Sequence, residues 1–242
     1  MALSKIKTNS IDDSAIINAK IANTTIDVTG KITGAVPIAN GGTALTSIGS
    51  ANQAMTVNSG ASALEFSTIK KAGKESIWVP ANSMYPNTTN GCAALAQTEL
   101  GNGPELKTLD FDKDSDEFAQ FAVAFPKSWN EGTITFQAFF TANSTNTGDV
   151  VWTLAGTALA DNGSLNTAFG TAVATTAKAH SGTANDLDVT AESGAVTIAG
   201  SPSTDEYVFF EIKRDVSEDS FSADAKLLGV KLLFTTDAAT DT

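Results

Sequence analysis

One cysteine, one histidine and one arginine are all that 242 residues hold of three side chains that often carry chemistry. Cys92 alone can form no intrachain disulfide, and Cys92 with His180 cannot supply a multi-ligand Cys/His metal site. A nucleophilic triad would need His180 beside a serine or Cys92 and an acid. His180 instead sits in AKAHSGTAND, a small-residue loop without the glycine pattern of a nucleophile elbow. Both are read as structural, Cys92 as a small buried side chain. Having only Arg214 removes the usual reader of phosphates and base edges. Positive charge is scarce as well: 15 basic residues face 27 acidic ones, a net charge of −12, which argues against nucleic acid as a partner. No apolar run approaches the roughly 20 residues of a membrane span. The opening MALSKIKTNSIDDS lacks the apolar core of a signal peptide. The expectation is a chain made in a cytoplasm, without membrane insertion. The sequons at Asn23, Asn87, Asn143 and Asn162 then read as polar loop residues.

Aromatics are missing from one end. Of 18, only Phe66 falls within the first 70 residues. That segment also carries little charge, so it buries little area alone and needs a partner surface. Ile6, Ile11, Ile16, Ile21 and Ile26 recur every five residues, which fits neither a straight helix nor a straight strand. Two readings stand: kinked extended pieces winding about a common axis, or one short helix from Asp12 to Ala22 behind a Ser10/Asp13 capping pair. Either way the isoleucines form an apolar stripe that wants cover. Further on, Gly41-Gly42 permits a sharp reversal. Gln53 to Asn58 and Ala63 to Ser67 are expected to form a hairpin across Ser59-Gly60.

What is plentiful is period-two alternation. Phe121, Val123 and Phe125, then Ile134, Phe136, Ala138 and Phe140, then Val150, Trp152 and Leu154 alternate with small or polar residues. This is the mark of half-buried strands. Pro126, Asn130, Glu131 and Gly132 supply turn chemistry between the first two, and the stretch from Glu117 to Leu154 predicts one antiparallel sheet with a wet face. Tyr207 to Arg214 and Ala225 to Phe234 predict two more strands, the latter burying Leu228, Val230, Leu232 and Phe234. Shorter strands are expected around Ile77 and Val79, around Leu106 and Leu109, and at 172–177, 186–190 and 195–198. Ala93 to Leu100 has helix-forming content. The spacing predicts a mostly β chain: an antiparallel β-sandwich behind an extended N-terminal arm.

Several acids invite a chemical reading. Asp110, Asp112, Asp114 and Asp116 alternate like a calcium loop, but the sixth position is Ser115 and the twelfth Phe121. A charged turn is the plainer account. Arg214 is expected to pair with Asp215, Asp224 or another acid at a strand end. Trp78, Trp129 and Tyr85 are either saccharide platforms or plugs at the sandwich ends. No catalytic, cofactor-binding or metal residue is assigned, and the chain is read as no enzyme.

Two stretches resemble a known group. Val36-Pro37-Ile38-Ala39-Asn40-Gly41-Gly42-Thr43, with Met55-Thr56-Val57-Asn58 and Leu64-Glu65-Phe66 behind it, resembles a Gly-Gly-Thr stretch of tailed-bacteriophage fibre proteins. SAIINAKIANTTI is similar to repeats preceding it there. IWVPANSMYP, LDFDKDSDE, FPKSWNEGTITF, VVWTLAG and SADAKLLGVKLLF together resemble the C-terminal domain of a family of phage and prophage virion proteins. The resemblance implies a jelly-roll-like sandwich and a homotrimer. It implies an arm at 1–40 that anchors to other virion proteins (tail, portal-proximal or capsid), a collar at 41–71, and a sandwich at 72–242 facing a host surface glycan. The implied role is a virion fibre or spike. The alternative is a capsid decoration or cement protein, or head fibre, stabilising the shell. A small polysaccharide depolymerase is the enzymatic alternative.

Overall fold

A computed structural model of the chain describes residues 36–40, 42–51, 53–68 and 73–236. The isoleucine repeat, with both of its readings, lies outside the described residues. The chain divides into two compact units, Met1–Ile69 and Lys70–Thr242. Among the described residues no helix is long and apolar enough to cross a membrane.

In the first unit the backbone folds back at Gly42: Ala44 N donates to Val36 O, 3.0 Å away, and Gly42 N to Pro37 O at 3.1 Å. A Cβ on Gly42 would lie 2.0 Å from Val36 O, so only glycine fits this approach. The hairpin follows, β1 (Gln53–Val57) against β2 (Leu64–Thr68). Asn58 organises its turn, its Oδ1 accepting from Ser62 N at 2.9 Å and Ala63 N at 3.2 Å. The pairing puts Met55 opposite Phe66 and Val57 opposite Leu64 on one face. Met55 and Val57 are exposed, as are Ile38 and Ile48.

The second unit is a jelly-roll-like sandwich of two antiparallel sheets. Its strands are β3 (Gly73–Pro80), β4 (Tyr85–Pro86), β5 (Ala96–Glu99), β6 (Glu105–Phe111), β7 (Glu117–Val123), β8 (Thr135–Thr141), β9 (Asp149–Val150), β10 (Trp152–Leu159), β11 (Val173–Ala174), β12 (Lys178–Ala179), β13 (Asp188–Val189), β14 (Tyr207–Arg214) and β15 (Ala225–Thr236). Sheet one runs β11-β10-β14-β7-β4. In sheet two, β15 lies against β8, which carries β13 at its far edge. The other edge of β15 is shared, β6 taking its first residues and β3 its last, with β5 outside β6. A further small pair joins β9 to β12.

The inward phase of each long strand is apolar, and the two inner faces interdigitate into one core. Phe121, Phe210 and Leu154 come from sheet one, Phe136, Phe140 and Leu232 from sheet two. Trp152 meets Phe111 edge to face at 5.0 Å. This core is what half-burial at period two specifies.

Four expectations need correction. The strands of Glu117 to Leu154 are not sheet neighbours: β7 is in sheet one, β8 in sheet two, β10 back in sheet one. Residues 126–132 are a crossing between sheets rather than a hairpin turn, because Trp129 dives inward and stacks on Phe125 at 4.2 Å. Ala93 to Leu100 holds no helix but β5, since the turn at 100–104, with Leu100 N donating to Pro104 O, pairs it with β6; sheet pairing overrides local propensity. In β15 a bulge between Leu227 and Gly229 shifts the phase, so Leu227 rather than Leu228 faces the core before it.

The segments at 172–177, 186–190 and 195–198 are shorter as strands than expected. Val196 still exchanges backbone hydrogen bonds with Ile134, but at three points along the stretch hydroxyls replace carbonyls as ladder acceptors. Thr190 Oγ1 accepts from Ala138 N, Ser193 Oγ from Phe136 N and Thr175 Oγ1 from Trp152 N, while their own amides donate to Ala138, Phe136 and Trp152 carbonyls. The Ser/Thr-rich stretch thereby covers the open edges of β8 and β10 without adding full strands.

Candidate functional site

Most of the side chains singled out above are committed to the fold. Arg214 is fully buried and every guanidinium nitrogen donates. Nε and Nη2 reach Asp219 at 2.8 and 3.2 Å, and Nη1 and Nη2 reach the carbonyls of Phe111, Asp112, Ala223 and Phe221. Its partner is therefore Asp219, neither Asp215 nor Asp224. Asp215 faces Lys213 at 3.3 Å, and Asp224 accepts from Lys113 N. With no donor spare, the residue is a clamp between the end of β6 and the β14–β15 loop.

The alternating acids disperse. Asp110 pairs with Lys226 at 2.9 Å and Asp116 with Lys213 at 2.9 Å. Asp112 Oδ1 accepts from Asp114 N, and Asp114 pairs with Lys113. Among the described residues no group of three or more His, Cys, Asp or Glu side chains could hold a metal ion.

His180 is buried between Asp188, 2.6 Å from Nδ1, and the Ser144 carbonyl, 3.1 Å from Nε2. Both ring nitrogens are occupied by fixed partners, and Nε2 donates to a carbonyl rather than facing a nucleophile. Burial pushes the Cys92 thiol up to about 12, with Glu117 and Asp110 adding to the rise. Such a thiol is a protonated core side chain at neutral pH.

The three aromatics separate by burial. Trp129 is 1% exposed, a plug, whereas Trp78 and Tyr85 are each 49% exposed. Trp78 lies on the outer face of sheet two, edge to face with Phe139 at 5.0 Å and against Gly229. A Cβ on Gly229 would sit 2.6 Å from the Trp78 ring, so the bulged strand presents a glycine where the indole rests.

Tyr85 lies on the outer face of sheet one, beside residues that the sequence argument passed over. β4 pairs Tyr85 with Gln120, and β14 sets Glu211 opposite Gln120 on the other side. Asn87 Nδ2 and Gln120 Nε2 both donate to Glu211 Oε2, at 2.7 and 3.1 Å. Tyr207 and Phe209 continue the same face of β14, their rings edge to face at 4.7 Å, and Tyr207 is 50% exposed. Burial raises the Tyr85 hydroxyl above its usual range, and the nearby Tyr207 adds to it. The signal for this face was present in the sequence: Tyr207 and Phe209 occupy the outward phase of YVFFEIKR, where a wet strand face ordinarily carries polar groups.

The second unit also carries two open clefts. One of about 360 Å³ is lined by Gly170, Val173, Thr197 and Ala199, the other of about 400 Å³ by Asp110, Asn143, Ser222 and Asp224. Neither gathers aromatic rings.

No family model matches the chain, and no curated protein matches it. Solved structures similar to it include the C-terminal family 6 carbohydrate-binding module of LamC, a laminarinase from the marine Zobellia galactanivorans. That likeness has 12% identity and a TM-score of 0.34, over 65% of this chain and 98% of the module. The family 11 carbohydrate-binding module of Clostridium thermocellum, in complex with a β-1,3-1,4-mixed-linked tetrasaccharide, is 7% identical, with a TM-score of 0.33 over 68% of this chain and 89% of that one. The Caldicellulosiruptor saccharolyticus module CBM27-1, in complex with mannohexaose, is 10% identical, with a TM-score of 0.33 over 65% and 96%. These likenesses assign no ligand, reaction or residue to this chain.

Proposed function

We propose that the chain is a structural protein of a bacteriophage particle, a homotrimeric fibre or spike that is anchored by residues 1–40 and displays its sandwich toward the host surface. The observation that carries this reading is the contrast between the two units. The sandwich buries its own apolar phase, whereas the β1–β2 hairpin leaves Met55 and Val57 in solvent. A two-stranded hairpin is marginal alone, and an exposed apolar face is covered most simply by the same face of further copies. The fibre-like Gly-Gly-Thr stretch and the virion-like motifs of the sandwich support the same reading. Its action is binding and assembly rather than catalysis, since Arg214, His180 and Cys92 are spent on the fold. Copy number on purified particles tests the placement. A fibre is expected in small multiples of three per particle, and gold-labelled antibody should mark discrete sites. Hundreds of copies spread over the shell would instead favour the decoration protein.

A further inference from the structure

The outer face of sheet one combines two kinds of group that ordinary solvent-facing strand positions do not. Tyr85 and Tyr207 are each about half exposed, and Phe209 backs Tyr207 edge to face. Beside them Glu211 is held by two amides on the same oxygen, Asn87 Nδ2 at 2.7 Å and Gln120 Nε2 at 3.1 Å on Oε2. Oε1 accepts from neither amide.

We propose that this face is a subsite for a neutral saccharide. The inference rests on the reading that the sandwich is displayed outward, and it names what the sandwich would grip. A sugar ring has an apolar C–H surface that lies on an aromatic ring, and a rim of hydroxyls that donate. Tyr85 and Tyr207 supply rings with polar tips, costing little conformational entropy because each has two side-chain torsions. Glu211 Oε1 supplies an acceptor on a carboxylate whose orientation is already fixed by the two amides on Oε2, which lowers the cost of ordering on binding. A protein partner fits less well, because the interface core would have to desolvate a carboxylate with no cation opposite it. Acidic sugars are disfavoured by Glu211 itself and by the chain's net charge of −12.

The test uses the full chain on an array of neutral hexose, N-acetylhexosamine and uronate-bearing oligosaccharides, followed by calorimetric titration with the tightest neutral binder. Neutral oligosaccharides should bind and uronate-bearing ones should not. Tyr207→Ala and Glu211→Gln should each weaken binding by about tenfold or more, the size of a lost central contact. Trp78→Ala, on the other sheet, should leave it unchanged, with thermal unfolding confirming that each variant is folded. Absence of any neutral binder overturns the subsite, as does binding indifferent to Tyr207 and Glu211. Loss of the oligomer in Tyr207→Ala also overturns it, since the face would then be a contact between copies. Absence of binding by an intact trimer leaves the fibre reading standing, whereas a monomeric wild-type chain sinks the fibre reading independently.

Discussion

At the scale of single residues, the groups with the most chemical promise turn out to be the most deeply invested in the fold. Arg214 and Asp219 form a buried pair, their side chains 0% and 3% exposed. Asp219→Ala would strand a guanidinium in the core and should cost about 3–5 kcal/mol, read by urea unfolding. A loss below about 1 kcal/mol, the worth of a surface pair, would contradict the clamp. Cys92 makes a pH prediction. Its folded thiol titrates at about 12 against an ordinary 9.0, so below pH 9 both folded and unfolded chains are protonated there and the contribution is fully present. Between pH 9 and 12 only the unfolded chain ionises, so this contribution is lost as pH rises. A thiol reagent at pH 8 should label the native protein far more slowly than the urea-unfolded one. The sequence showed that Arg214 would find an acid at a strand end. It could not choose Asp219, because the choice depends on how the β14–β15 loop folds back under Phe221.

At the scale of elements, the alternation of β7, β8 and β14 was legible because burial on one face writes period two directly into the sequence, whereas β10, expected as half-buried, is buried on both faces along its whole length. Sheet membership was not legible. Whether β7 pairs with β8 or crosses to the other sheet turns on Trp129 stacking on Phe125, a contact with no periodic signature. The same holds for β15, where one bulged residue exchanges Leu228 for Leu227 in the core. Gly229 belongs to that bulge and underlies Trp78. Gly229→Ala would put a Cβ 2.6 Å from the indole and 2.7 Å from Val79 O, so both β3 and the ring must shift. A destabilisation of about 1–3 kcal/mol is expected, together with a shift in tryptophan emission as Trp78 lifts from the sheet. Unchanged emission and stability would show that the indole does not rest there. The short strands between 172 and 198 were over-read, because Thr175, Thr190 and Ser193 use hydroxyls where a regular strand uses carbonyls. Sequence alone does not distinguish those two acceptors.

For the whole molecule, the division of labour follows from where the aromatic residues are. The sandwich holds 17 of the 18, since Phe66 alone lies in the first 70 positions, and closes its own core. The first unit holds small aliphatics and leaves Met55 and Val57 uncovered. The sandwich class could be read from sequence. The outer face of sheet one was only half visible, through Tyr85 and the outward phase of Tyr207 and Phe209, because Asn87, Gln120 and Glu211 meet from three separate segments and share no local spacing. The central claim is that copies of the chain cover one another's hairpin faces, and light scattering on the full chain tests it most directly. One chain weighs 24.9 kDa, so the account predicts about 75 kDa. It also predicts that the double substitution Met55→Glu with Val57→Glu lowers that mass, because like charges cannot share the buried face. A wild-type mass near that of one chain, at concentrations well above those of binding assays, would contradict the account.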